Sequence, residues 1–393
     1  MDMCLGSSIM AWQLDGAIEW IGFLEDNIRQ RKLKKQKPLV GEVEMQKIFR
    51  SPALSFVQSL ISRRWNYEYI DDRQPLLDAL QTSLALEVDY NDPQCSDPRD
   101  RVFSLLGLVA DAEHFGPFPD YSMSCEDVYE ELARLFLKQG SLHVLSFCQF
   151  PKNPMSRPLS SWVVDWSMPL RYPCTIRANT YHFQASGDTM EKQIVTFPQP
   201  HLLNLWGFTF DSIEEVGSVW DPHWLTPLDL DATSLYLGEI RAFCEKSPRI
   251  QDDEPGKAAP AHIAVRERFE TGNPEDRLNS SNLLLRMLEE RKAKIESSFT
   301  ADEEAFIDMY MTELLTLHTR RPFLSKTGYI GLVPEGCVAG DVLVLFFGAT
   351  VPYVLRARDE GDYTLVGEAY VYGVMQGELV EEGDYPKENF TIY

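Results

Sequence analysis

A mixed α+β architecture is predicted: a helical N-terminal part, then a discontinuous, antiparallel, barrel-like β domain carrying a helical insertion. Three observations predict it. Up to about residue 150 apolar residues recur at helical spacing, and after Pro151 the texture changes to short aromatic or β-branched runs divided by Pro and Gly. Helical periodicity then returns over 232–321, and five short strands follow it. The expected divisions are a helical domain over 1–150, a first β segment over 151–228, a helical insertion over 229–321, a second β segment over 322–378 and an acidic tail over 379–393.

Ala17, Ile21, Leu24 and Ile28 share one helix face, and Arg29, Arg31, Lys32, Lys34, Lys35 and Lys37 follow before Pro38. Cations suit the negative end of a helix, so the basic run reads as a helix terminus, with nuclear entry as the alternative. Glu42 to Ile61 predicts a second helix interrupted near Pro52, and Leu76 to Val88 a third. In Asp97-Pro98-Arg99-Asp100-Arg101-Val102-Phe103-Ser104-Leu105-Leu106-Gly107-Leu108, Asp97 can cap, Pro98 fits the first turn and Gly107 can stop a short helix. Arg99, Asp100 and Arg101 read as an ion-pair network with Asp97, the alternative being an anion site at the helix start. Ser124 opens a further helix, with Val128, Leu132, Leu135 and Phe136 on one face and Gly140 as its stop.

Strands are expected at Trp162–Trp166, Tyr181–Phe183, Ile194–Val195 and Leu203–Val216. Thr300 and Glu303 form a capping box for a helix that carries Phe306, Tyr310, Leu314 and Leu317 on one face and ends at Arg320-Arg321-Pro322. Pro248 to Pro274 lacks periodicity and reads as a mobile insertion. Strands resume at Gly328–Val333, Val342–Phe347, Tyr353–Arg358, Tyr363–Glu368 and Tyr370–Met375. From Ala357 onward nine acidic residues stand against Arg358 and Lys387, predicting a solvated tail. The segment 181–216 should pair with 328–375 in one sheet, since neither set has enough apolar surface for a core of its own. Gly328, Gly331 and Gly340-Asp341 read as turn and close-approach positions, so Gly331→Val should cost about 1–3 kcal/mol.

The chain has 393 residues and a net charge of −23, and such a field repels a nucleic-acid backbone. Its seven cysteines form no C-x-x-C pair and suit reduced thiols in a cytoplasmic protein. The stretch Val342–Leu355 is too short and too strand-like to span a bilayer. Phosphate-loop, dinucleotide, nucleophile-elbow and zinc-protease motifs are all absent, and none of the seven histidines stands at metal-ligand spacing. No metal, cofactor, nucleic acid or membrane partner is therefore expected, and the common motif-based enzyme assignments all fail. Trp162, Trp166, Trp206, Trp220 and Trp224 read as sheet anchors rather than a ligand platform.

Three stretches together resemble the fungal heterokaryon-incompatibility (HET-domain) proteins. The segment Asp97–Leu108 is similar to their "DPRDKVYALLGL", and Ser161-Trp162-Val163-Val164-Asp165-Trp166-Ser167 to their "PSWVPDWS". From Thr327 to Glu378 the order Thr-Gly-Tyr-Ile-Gly-Leu-Val-Pro, Gly340-Asp341, Pro352-Tyr353-Val354-Leu355-Arg356 and Val366-Gly367-Glu368-Ala369-Tyr370 resembles the family's C-terminal region. The resemblance singles out Asp97, Arg99, Asp100, Arg101, Trp162, Asp165, Trp166, Gly328, Gly331, Asp341, Arg356, Gly367 and Glu368, as structural positions in the first instance. The family's "WIDALCINQ"-like and "WLG" elements are not found, which implies the region downstream of the HET domain. The resemblance implies an interaction module of self/non-self recognition that does not trigger cell death on its own. The alternative is an accessory protein or enzyme of a fungal secondary-metabolite gene cluster.

Overall fold

The computed structural model describes residues 2–5, 8–11, 73–84, 95–116, 118–170, 173, 183–187, 193–220, 230–250, 254–266, 300, 303, 310, 314, 317, 319–359, 361–383 and 385–393. The helices expected over 17–37 and 42–61 lie outside them. The chain divides into two compact units, Met1–Pro119 and Asp120–Tyr393. Residue 150, near which a change of texture was read, lies inside the second unit.

In the first unit an antiparallel hairpin, β1 (Asp2–Leu5) and β2 (Ser8–Ala11), pairs Met3 with Met10. No periodicity announced it, because two four-residue runs are too short to show alternation. Helix α1 (Leu76–Leu84) starts where predicted, with Leu76 and Leu80 fully buried. Asp111 fastens its first turn by accepting the Leu76 N–H at 2.7 Å. Helix α2 (Asp100–Leu106) buries Val102 and Phe103, and the Phe103 ring meets Phe118 at 5.7 Å. Asp97 does not cap α2. Its carboxylate accepts instead from the Arg99 N–H at 3.0 Å and the Arg99 guanidinium at 2.6 Å, closing the turn that leads into the helix.

The second unit opens with α3 (Cys125–Lys138), entered at Ser124 as the sequence predicts. The Ser124 hydroxyl accepts the Asp127 N–H at 3.1 Å and donates to its carboxylate at 2.7 Å. Val128, Leu132 and Phe136 form the buried face, and Gly140, at φ +88°, turns the chain away. Ser124 is exposed, so Ser124→Ala should lose the cap and little else. A loss of about 1 kcal/mol is expected in urea melts, with an unchanged m-value.

One eight-stranded sheet forms the rest of the frame. Its strands are β3 (Leu203–Val216), β4 (Arg320–Ser325), β5 (Ile330–Pro334), β6 (Val342–Phe346), β7 (Tyr353–Ala357), β8 (Tyr363–Glu368), β9 (Tyr370–Val371) and β10 (Glu388–Ile392). The long β3 organises it: residues 203–207 pair with β10, residues 207–212 with β6 and residues 213–216 with β4. Register shifts after Thr209 and after Ile213 are where a bulged strand can bend and change partners. From β6 the pairing continues to β7, β8 and β10, which returns to β3, while β4, β5 and β9 extend from the other half. Every pairing is antiparallel except β10 with β8, so the sheet is mixed where a purely antiparallel one was expected. Leu205, Val344, Phe346, Tyr353 and Phe390 share one buried face of the circuit. The expected pairing of an early strand with the late strands is thus found, with α4 (Leu230–Lys246) and α5 (Glu254–Ala264) between them in sequence.

Several local expectations are corrected. Arg320-Arg321-Pro322 does not end a helix; it begins β4, where Pro322 keeps its carbonyl for the Gly217 N–H at 2.8 Å. Within the supposed mobile insertion, α5 buries Ala259, Ile263 and Ala264 despite Pro260. Trp162–Trp166 is a buried turn, not a strand, and of Ile194–Val195 only the neighbouring Thr196 makes a bridge, to Asn204. The strand expected over Tyr370–Met375 is β9 and stops at Val371. The acidic segment is no solvated tail: Glu378–Glu382 is helical (α6), and β10 carries Phe390 and Ile392 into the core. In β10 Phe390 and Ile392 alternate with Asn389 and Thr391, and that alternation, not the net charge, decides its place.

Candidate functional site

A pocket of about 240 Å³ opens in the second unit where the two halves of the sheet meet the segment after α3. Residues 146–150 form one wall, the start of β4 and the β5–β6 turn another, and β7 and β8 the third.

The floor is an ion pair. Arg320, at the first position of β4, donates through Nη2 to Glu368 Oε1 at 2.5 Å and through Nη1 to the Glu368 carbonyl at 3.0 Å. Its side chain is 8% exposed and that of Glu368 1%, so two charges share a site with almost no water. Removing either alone takes from the other, buried charge the partner described here.

The lip is a second pair with a different design. Asp341 is 2% exposed; its carboxylate takes Arg356 Nε and Nη2, each at 2.8 Å, and the Val338 N–H at 2.9 Å. Arg356 Nη2 also reaches the Gly336 carbonyl at 2.7 Å. These bonds favour the charged guanidinium and raise the Arg356 pKa above its ordinary value, hydrogen bonding to Asp341 being the main cause. Arg356 remains 42% exposed, its charge held in place at the pocket edge.

Gly367 lets the walls approach. Its φ is +146°, and a Cβ there would lie 2.8 Å from Pro334 Cγ and touch the Cys148 carbonyl at 3.6 Å, so a side chain would be strained and would press on Pro334. Cys148 lines the pocket, but burial pushes its thiol up to about 11, which keeps it protonated and weakly nucleophilic near neutral pH. Ser146 is tied to the Tyr353 hydroxyl at 3.1 Å. Among the described residues, no group of three or more His, Cys, Asp and Glu could hold a metal ion.

The wall is backed by a cation. Lys152 donates to the Ser160 and Val163 carbonyls at 2.5 Å and to the Ser161 carbonyl at 3.2 Å, which explains why 160–163 turns instead of pairing as a strand. Burial lowers its pKa to about 8. An unfolded lysine titrates near 10.4, so between about pH 8 and 10.4 the unfolded chain binds more protons, and stability from this group rises with pH. The stability of wild type relative to Lys152→Met should therefore rise across that window, by up to about 1.4 kcal/mol per pH unit, and stay level below it. Urea melts at pH 7, 8, 9 and 10 test this; a flat difference would mean that the ammonium is solvated.

Of the residues singled out by sequence, Arg356 and Glu368 line this pocket, Asp341 orients the first, and Gly367 abuts the walls. Gly331 and Gly328 lie in and beside β5, the first against β9, the second at φ +96° with Pro248 Cδ 2.6 Å from where a Cβ would stand. Trp162, Asp165 and Trp166 do not line the pocket. They frame its wall: Trp162 Nε1 donates to the His201 carbonyl at 3.0 Å, Asp165 accepts the Asn153 N–H at 2.7 Å, and Trp166 is fully buried. Asp97, Arg99, Asp100 and Arg101 belong to the first unit, where Asp97 and Arg99 form an ion pair and Arg101 is 9% exposed. Arg320, Glu335 and Cys148 were missed. Arg320 was hidden by the helix-stop reading of its neighbours; Cys148 carries no local signal at all.

Fold and pocket together define an α+β protein built on a closed circuit of strands with a charged pocket against it. Residues 261–392 match the family described as the Het-6 beta-barrel domain. The chain is also 24% identical over 373 residues to heterokaryon incompatibility protein 6, OR allele, of Neurospora crassa, an alignment covering 78% of this chain and 52% of that protein. The chain is thus similar to a heterokaryon-incompatibility protein, with the Het-6 barrel match confined to residues 261–392, and it spans about half the length of the curated relative it matches. No solved structure matches it. Among the described residues, no helix is long and apolar enough to cross a membrane.

Proposed function

We propose that the chain is a non-catalytic recognition module of the heterokaryon-incompatibility type, acting in the cytoplasm through protein partners, with the barrel-like sheet as its rigid platform. The observation that carries this reading is the likeness over 373 residues to a Neurospora crassa incompatibility protein, together with the Het-6 barrel match over residues 261–392. The pocket chemistry supports it: the charges are held in pairs and the Cys148 thiol stays protonated, an arrangement that binds better than it reacts.

The test is genetic. Inducible expression in a fungal host, scored by viability staining, should leave single-genotype hyphae growing normally. Forced heterokaryons in which only one nuclear type carries the gene should grow more slowly than those in which both do. Killing by the chain alone, or equal growth of matched and mismatched heterokaryons, would overturn the proposal.

A further inference from the structure

We infer that the pocket binds a small monocarboxylate with an apolar body, its carboxylate on the Nη1 edge of Arg356. The inference stands on the pocket geometry and not on the recognition reading, so either can fail without the other.

The guanidinium of Arg356 has five N–H donors in a fixed plane. Nε and Nη2 are committed to Asp341 and to the Gly336 carbonyl, and no described residue accepts from Nη1. Gly336 and Arg356 both line the pocket, so the pinned guanidinium stands at it with Nη1 uncommitted among the described residues. The side chain is already ordered, and binding there does not carry the rotamer cost of fixing a mobile arginine.

The remaining walls choose the ligand. Phe150, Pro334 and Val366 offer apolar surface below the lip, which suits a hydrocarbon or aromatic body. Glu335 and the paired Glu368 also line the pocket, and Asp341 stands behind Arg356, so a phosphate-like dianion would meet several carboxylates for one free guanidinium edge. A single negative charge balances better. At about 240 Å³ the space lies just below the range that holds drug-sized molecules, which limits the ligand to a small acid.

Titration calorimetry on the full chain with three probes tests the inference. Phenylacetate should bind saturably, and phenylacetamide, the same shape without the charge, and phenyl phosphate, the dianion, should each bind at least tenfold more weakly. Arg356→Lys keeps a cation beside Asp341 but removes the free edge, and should weaken phenylacetate binding at least tenfold. Because that substitution could disturb the lip, Val366→Phe serves as a second variant: it leaves Arg356 and Asp341 intact, fills the space for the body, and should abolish binding in a chain that still folds by circular dichroism, with a lowered melting temperature because Val366 is buried. Amide or phosphate binding equal to that of the acid, retained affinity in Arg356→Lys or in Val366→Phe, or no binding of phenylacetate at millimolar concentration would each overturn it.

Discussion

Arg320→Ala is expected to lower the unfolding free energy by about 3–5 kcal/mol, because it takes the paired guanidinium away from a Glu368 side chain that is only 1% exposed. The loss is not the worth of the ion pair itself. Two buried charges repay their desolvation only in part, so replacing both, as Arg320→Met with Glu368→Leu, should cost far less than Arg320→Ala alone. Urea melts of the two single variants and the double variant give the coupling. If the double variant were as unstable as the sum of the singles, Arg320 and Glu368 would be acting separately, and the account of the floor as one unit would be wrong.

Gly331→Val is expected to be as severe, on the order of 3–5 kcal/mol, which exceeds the 1–3 kcal/mol read from sequence. Gly331 pairs with Phe323 on one side and Val371 on the other. An added Cβ would fall on the Tyr370 carbonyl carbon at 2.8 Å and on the Phe323 ring at 2.9 Å, and its backbone neighbour cannot swing away as a side-chain tip could. The strand must part from β9, or β4 from β5. Gly340→Ala is the control: at φ +94° it has nothing within 4 Å of its Cβ, so only backbone strain of about 1–2 kcal/mol should appear. Equal melting temperatures for the two variants would show that conformation, not close approach, governs both sites.

The contrast between these glycines shows what a sequence can carry. Local chemistry was legible where a few neighbouring residues settle the structure. Ser124 and Asp127 marked α3, Thr300 and Glu303 hold each other as a capping box, with bonds at 2.7 and 3.3 Å, and the alternation of Leu203–Val216 located β3. The single discontinuous sheet was also legible, from the shortage of apolar surface in either half. Arg320 was not, since its meaning depends on Glu368, 48 residues away in sequence. Lys152 was not either: a lysine near Pro151 reads as solvated until three carbonyls close round it. Of the pocket, the sequence marked the residues that shape or edge it, Gly367, Asp341 and Arg356, together with one partner of the buried pair, Glu368. The other partner and the cysteine wall emerged only with the fold.

The order of strands along the chain has a consequence for synthesis. β3 emerges from the ribosome long before any strand that flanks it in the sheet; the first, β4, follows after roughly 100 residues, or about 5–20 s of translation. During that interval a 14-residue strand has both edges bare, an invitation to pair with another nascent chain. The two bulges and the charges at Asp211, Glu214 and Glu215 interrupt its flatness in the part that waits for β6 and β4. Residues 203–208, Leu-Asn-Leu-Trp-Gly-Phe, have no charge at all, and this stretch is where a chaperone that holds extended apolar segments would find its grip.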